Sequence, residues 1–99
     1  MDEITFDWDA QKAQINERKH GMSFEEAQTA FYDGDARVSY DPDHSQKEDR
    51  YILLGMSASL RLLLVCHMYE QNDECIRLIS ARKATRTEQQ QYQGFFYER

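Results

Sequence analysis

The chain has 99 residues, 40% of them hydrophobic and 30% charged, with 18 Asp and Glu against 12 Lys and Arg for a formal net charge of −6. That length admits one domain with a modest core and excludes two independent ones, and the longest apolar stretch, residues 62–66, is far short of the roughly 20 residues that cross a bilayer. An acidic chain repels a polyanion overall, so any contact with nucleic acid has to be local. Met1-Asp2-Glu3 offers neither the basic region nor the apolar core of a secretory signal, which predicts a cytoplasmic protein with no membrane association. Cys66 and Cys75 are spaced neither as a metal pair nor as a disulfide framework, which predicts two reduced thiols.

Residues 4–7 read as a short strand. Asp9 then caps a helix that runs to His20, where Gly21 supplies a left-handed stop and Trp8 can staple onto Ala13. Ser23 with Glu26 is a capping-box signature, and Phe24, Ala27, Ala30 and Phe31 fall on one side of a second helix ending near Asp33-Gly34. Residues 36–40 read as a strand, and residues 41–48 as a polar loop around the only proline. Residues 50–56, 60–69 and 74–81 follow as a meander of antiparallel strands. Thr85 with Glu88 repeats the capping signature, and Tyr92, Phe95 and Phe96 recur at helical spacing, which predicts a last helix docked by an aromatic face. The expected architecture is α+β, an antiparallel sheet with two N-terminal helices and a C-terminal helix in the order β-α-α-β-β-β-β-α, all within a single domain over residues 1–99.

Charge is unevenly spread. Residues 1–36 carry nine acids and three bases, residues 37–75 seven and four, and residues 76–99 two and five, so the net charge runs −6, −3 and +3 along the chain. The positive excess centres on Arg82-Lys83-Ala84-Thr85-Arg86, where the last strand gives way to a helix. Arginine forks match phosphate oxygens, and a helix N-terminus adds N–H donors, so this junction is the leading candidate for holding a phosphate. Successive strand residues point to opposite faces, so Arg82 and Lys83 need not converge.

Five blocks, taken in order, carry a resemblance: Phe6-Asp7-Trp8-Asp9, then Arg18-Lys19-His20-Gly21-Met22-Ser23-Phe24-Glu25-Glu26-Ala27, then Asp43-His44-Ser45, then Arg50-Tyr51-Ile52-Leu53-Leu54-Gly55, and Ile79-Ser80-Ala81-Arg82-Lys83-Ala84-Thr85. Together they resemble the BrnT toxin family over nearly the whole chain. The resemblance implies a bacterial type II toxin with a RelE-like ribonuclease fold that inhibits translation by cleaving RNA without a metal or other cofactor. It also implies neutralisation by a BrnA-like ribbon-helix-helix antitoxin, contact with DNA only through that antitoxin, and a possible homodimer within the complex.

In that chemistry a 2′-hydroxyl attacks the adjacent phosphate, a base takes its proton, an acid protonates the leaving 5′-oxygen, and cations stabilise the charged intermediate. The candidate catalytic residues are Lys19, His20, Arg82 and Arg86. His20 suits proton transfer because an unperturbed imidazole titrates near neutrality, while Lys19 and His20 equally suit the negative end of their helix. Arg50, Arg61 and Lys83 are the candidate substrate contacts, forming a groove if their faces coincide with that of Arg82. Arg77, mid-strand, is a weaker member of the same set.

Asp41, Asp43 and His44 superficially suggest a hard-metal site, but a turn around Pro42 explains them better and no complementary ligand pair stands elsewhere, so no metal is expected. His44 retains a catalytic reading, whereas His67, in phase with Leu63 and Val65, reads as a core histidine. Tyr51, Tyr69 and Tyr92 either stack on bases or fill the core. The acids Asp2, Glu3, Asp7, Asp9, Glu25 and Glu26 read as a solvated face. The negative charge also favours a rival reading, a degenerate toxin that keeps only its antitoxin interface or acts as a co-repressor. A stand-alone nucleic-acid-binding regulator is weaker still, because no helix carries a continuous basic stripe.

Overall fold

A computed structural model of the chain describes residues 4–97, and side chains in the last helix up to residue 94. Five strands form one sheet in the order β1-β5-β4-β3-β2, built from β1 (Thr5–Asp7), β2 (Arg37–Tyr40), β3 (Tyr51–Met56), β4 (Leu62–Glu70) and β5 (Cys75–Lys83). The helices are α1 (Ala10–His20), α2 (Phe24–Thr29), which tightens into a 3-10 turn at Ala30–Tyr32, and α3 (Arg86–Tyr97). The α+β class and the expected order of elements hold. Strands β2 to β5 pair antiparallel, while β1 lies parallel to β5, so the sheet is mixed.

The parallel edge follows from what β1 has to bury. Its register sets Phe6 opposite Ile76, a core residue, and Asp7 opposite Arg77, with which it forms an ion pair, while Thr5 Oγ1 donates to Glu74 O at 2.7 Å. Only three residues pair, so among the described residues the outer edge of β5 beyond Arg77 has no neighbouring strand.

Local chemistry fixes the helix ends. The Asp9 carboxylate accepts from the N–H groups of Gln11 and Lys12, and Gly21, at φ 65°, closes α1 in the left-handed conformation that favours glycine. Ser23 Oγ accepts from Glu26 N–H at α2. At α3 the box is reciprocal, with Glu88 N–H donating to Thr85 Oγ1 and Thr85 N–H to Glu88 Oε1.

Strand alternation separates two cores. On one face Met22, Phe24, Ala27 and Ala30 pack against Leu53, Leu63, Val65, Ile76, Leu78 and Ala81, with Trp8 edge-on to Phe24. On the other face Leu54, Ala84 and Tyr92 seat α3, flanked by Met56, Leu62 and Leu64. The expected docking of α3 by an aromatic holds for Tyr92; the side chains of Phe95 and Phe96 lie outside the described residues. Tyr92 also donates its hydroxyl to Asp33 Oδ2 at 2.6 Å, and that same oxygen accepts from Met56 N–H, so one carboxylate ties α3 to β3. Burial and the Asp33 contact push the Tyr92 phenol up to about 12.

His67 is a core histidine. It is fully buried on the same face as Leu63 and Val65, its Nδ1 lies 3.1 Å from Val65 O and its Nε2 3.2 Å from the Tyr69 hydroxyl, and burial lowers its pKa. Tyr51 and Tyr69 join it in an aromatic cluster with Phe31 and Tyr40.

Candidate active site

The exposed outer edge of β5 is occupied by a side chain. Asn16, buried in α1, donates to Ala81 O at 2.9 Å and accepts from Ala81 N–H at 3.0 Å, taking the place of a neighbouring strand, while its amide also donates to Met22 O. Because Asp9, at the start of α1, feels the charge of Arg77 and Asn16 is bonded to Ala81, α1 travels along β5 in the strand's own direction. Its last turn, Arg18-Lys19-His20, therefore lies toward the end of β5 that carries Arg82 and Lys83. His20 is half-buried and follows Asn16 by one turn, whereas Lys19 is exposed.

Register separates Arg82 from Lys83. Lys83 pairs with Leu63, on the face of the sheet covered by α2, and its charge helps hold the Glu26 carboxyl down. Arg82 pairs with Leu64, on the face that seats α3. Arg86 is the first residue of α3 and is exposed. Lys19, Lys83 and Arg86 take no ion pair among the described residues.

Arg82 is held firmly. Its Nη1 donates to Glu88 Oε1 at 2.8 Å and to Lys83 O at 3.2 Å, and its Nη2 donates to Glu88 Oε2 at 3.0 Å. The hydrogen bond with Glu88 raises the Arg82 pKa, and the same bond lowers that of Glu88. A guanidinium has five N–H donors arranged as two forks plus one further hydrogen. Glu88 fills the Nη1–Nη2 end, leaving the Nε–H and the second Nη2–H parallel and without a partner among the described residues. The arginine is thus oriented by the first turn of α3 yet keeps a bidentate site for an oxyanion, beside the positive end of that helix.

The other candidates divide between the faces. Arg61 lies against α2, its Nε donating to Glu26 Oε2 at 2.9 Å and its Nη2 to Glu26 Oε1, while Ser57 Oγ also donates to Glu26 at 2.7 Å. Those bonds from Arg61 and Ser57 lower the Glu26 pKa. Arg50 shares the sheet face of Arg82 and helps lower the Cys66 thiol pKa against the larger raising effect of burial. It pairs with Glu48 at 3.2 Å, and its Nε is buried without a partner. Two strand spacings across the sheet and four residues along it separate its backbone from that of Arg82, roughly 17 Å at ordinary sheet spacings, and each guanidinium is tied to its own carboxylate, Glu48 and Glu88. Arg77 is engaged by Asp7 and, at 3.8 Å, by Glu70. Of the expected groove, then, Arg50 faces with Arg82, while Arg61 and Lys83 do not.

At the loop, Asp41 and His44 bond each other at 2.8 Å across a 3-10 turn begun by Pro42, and Ser45 Oγ donates to Asp41 O. Cys66 and Cys75 are free thiols. Two residues bear on the site without a sequence signal that names their partners: Glu88 reads only as a helix cap, and nothing marks Asn16.

Likenesses to known proteins bear on the family and the fold. The family model described as the ribonuclease toxin BrnT of type II toxin-antitoxin systems matches residues 8–88. The crystal structure of the Brucella abortus ribonuclease toxin BrnT is similar with a TM-score of 0.64 at 26% sequence identity, the match covering 85% of this chain and 100% of that one. No curated protein sequence matches this chain. Since the family match spans both α1, with its Lys19-His20 end, and the Arg82–Glu88 junction, the chain belongs to the BrnT family of ribonuclease toxins of type II toxin-antitoxin systems.

Proposed function

We propose that this protein is a metal-independent endoribonuclease that stops translation by cutting RNA at the β5–α3 junction, and that a BrnA-like antitoxin silences it by covering the same place. The observation that carries the reading is the vacant Nε–Nη2 fork of Arg82, oriented by Glu88 beside the N-terminus of α3. In the step envisaged, the O2′–P bond forms as the P–O5′ bond breaks, giving a 2′,3′-cyclic phosphate and a 5′-hydroxyl. His20 relays the proton from O2′ toward O5′, Arg82 grips the phosphorane oxygens, and Lys19 and Arg86 add positive charge. Arg50, on the same sheet face, meets a more distant nucleotide.

One observation favours a second reading, a module that binds antitoxin without catalysis: Arg50, Arg61 and Arg77 are all engaged by carboxylates in a chain of net charge −6. Purified protein incubated with RNA in a chelator decides between them. Cleavage is expected for the wild type and a fall of about 100- to 1,000-fold for Arg82→Ala, the loss of an oxyanion-type contact worth about 3 kcal/mol. Equal cleavage by both would overturn the assignment of the site, and an inert wild type the assignment of the activity.

A further inference from the structure

We infer that Glu88 is a positioning residue for RNA cleavage, one that fixes Arg82 for the transition state at some cost to RNA affinity. The inference rests on the ribonuclease reading and goes beyond it, because Glu88 touches no substrate and carries the charge that RNA itself carries.

Three bonds define the device. Glu88 Oε1 accepts from both Arg82 Nη1 and Thr85 N–H, each at 2.8 Å, and Oε2 accepts from Arg82 Nη2. The carboxylate therefore couples the guanidinium plane to the backbone where α3 begins. The other Nη1 hydrogen goes to Lys83 O at 3.2 Å, a further restraint on the guanidinium. An arginine on a strand end otherwise samples many rotamers, and aligning it during reaction would cost conformational entropy. Here the alignment precedes substrate, and the vacant fork can point only one way.

The same carboxylate opposes binding. A phosphodiester gripped by the vacant fork lies on the far side of one guanidinium from Glu88, so the two anions repel through a single cation. Glu88 stays ionised because Arg82 and Thr85 lower its pKa. Removing its charge while keeping its shape should then move the two kinetic constants in a way that loss of a helix cap would not. Affinity should improve and turnover should fall, the pattern of a group that weakens the ground state while ordering the transition state.

The experiment uses the full chain and a short RNA substrate, comparing wild type, Glu88→Gln, Arg82→Ala, the double variant and Thr85→Ala. Glu88→Gln is expected to lower kcat by about 10- to 100-fold, the scale of a displaced reacting geometry, and to lower KM. In the Arg82→Ala background the same change should leave kcat where Arg82→Ala alone puts it. Thr85→Ala, which loses the hydroxyl half of the cap and leaves Arg82 its partner, should lose far less kcat than Glu88→Gln. If Thr85→Ala loses as much as Glu88→Gln, or if Glu88→Gln still lowers kcat when Arg82 is absent, Glu88 acts as a cap and the inference fails. Wild-type kcat in Glu88→Gln with an inactive Arg82→Ala would sink it too, leaving the ribonuclease reading intact. RNA left uncut by the wild type would instead remove the reading beneath it.

Discussion

Two helices of this protein begin with a hydroxyl residue followed three positions later by glutamate, and in both the glutamate holds an arginine, Arg61 from the turn before β4 and Arg82 from β5. At α2 the Glu26 carboxylate turns toward the β3–β4 hairpin, taking Arg61 and Ser57. At α3 Glu88 completes its capping box and takes Arg82 as well. The decisive difference is the edge of the guanidinium that is used. Arg61 spends its Nε and Nη2, the fork that best fits a second oxyanion, on Glu26, whereas Arg82 spends its Nη1–Nη2 end and keeps the Nε–Nη2 fork. An ion pair therefore does not by itself withdraw an arginine from recognition.

The sharpest way to break this comparison is to truncate both arginines. Both changes leave a partly buried carboxylate without its main partner, so Tm falls in each. Arg82→Ala should in addition cost most of the RNA cleavage, about 100-fold or more, whereas in Arg61→Ala cleavage persists. Loss of cleavage in Arg61→Ala at a temperature where it is folded would mean that the two pairs are not functionally distinct.

A smaller effect tests whether α3 presents Glu88 from a fixed position. Tyr92→Phe removes the hydrogen bond to Asp33 and should destabilise the fold by about 1.5 kcal/mol, read by chemical denaturation. An unchanged midpoint would show that burial of Tyr92 against Leu54 and Ala84 is enough to anchor the helix.

The smallest effect is in acid. Glu26 and Glu88 are both held below the ordinary carboxyl value of 4.5, so each contributes stability above that pH and loses it as pH falls through its lowered folded pKa. His67 is held below 6.5 by burial, so the unfolded chain takes up its proton first and stability declines as pH drops from 6.5. Stability measured against pH should thus show an upper limb from His67 and a lower one from the carboxylates. Glu26→Gln and Glu88→Gln should each flatten the lower limb alone, and flattening of the upper limb by either would contradict this division.

Much of the fold was legible because its signals are local. Asp9 and Gly21 bound α1, Thr85 with Glu88 opens α3, and alternation along β3 and β4 separates Leu53 and Leu63 from Leu54 and Leu64. What escaped depends on distant partners. The sequence between Phe6 and Ile76 contains nothing that specifies parallel pairing, and α2 is short because Ala30 to Tyr32 tighten to a 3-10 turn above Gly55, where an added Cβ would lie 2.9 Å from Ala30 O. The basic knot at Arg82 to Arg86 was visible as charge, yet which arginines are neutralised, and by which edge, follows only once Glu26 meets Arg61 across 35 positions and Glu88 meets Arg82 across 6.

Asn16 has a wider consequence. By answering both backbone groups of Ala81, it closes the rim of β5 to strand addition by another chain, a common route from exposed edges to aggregation. A side chain in a helix thus does the work of a sixth strand without extending the sheet. One amide both pairs this edge and ties it to α1, and Asn16→Leu should lower Tm, through two backbone groups left buried and unsatisfied.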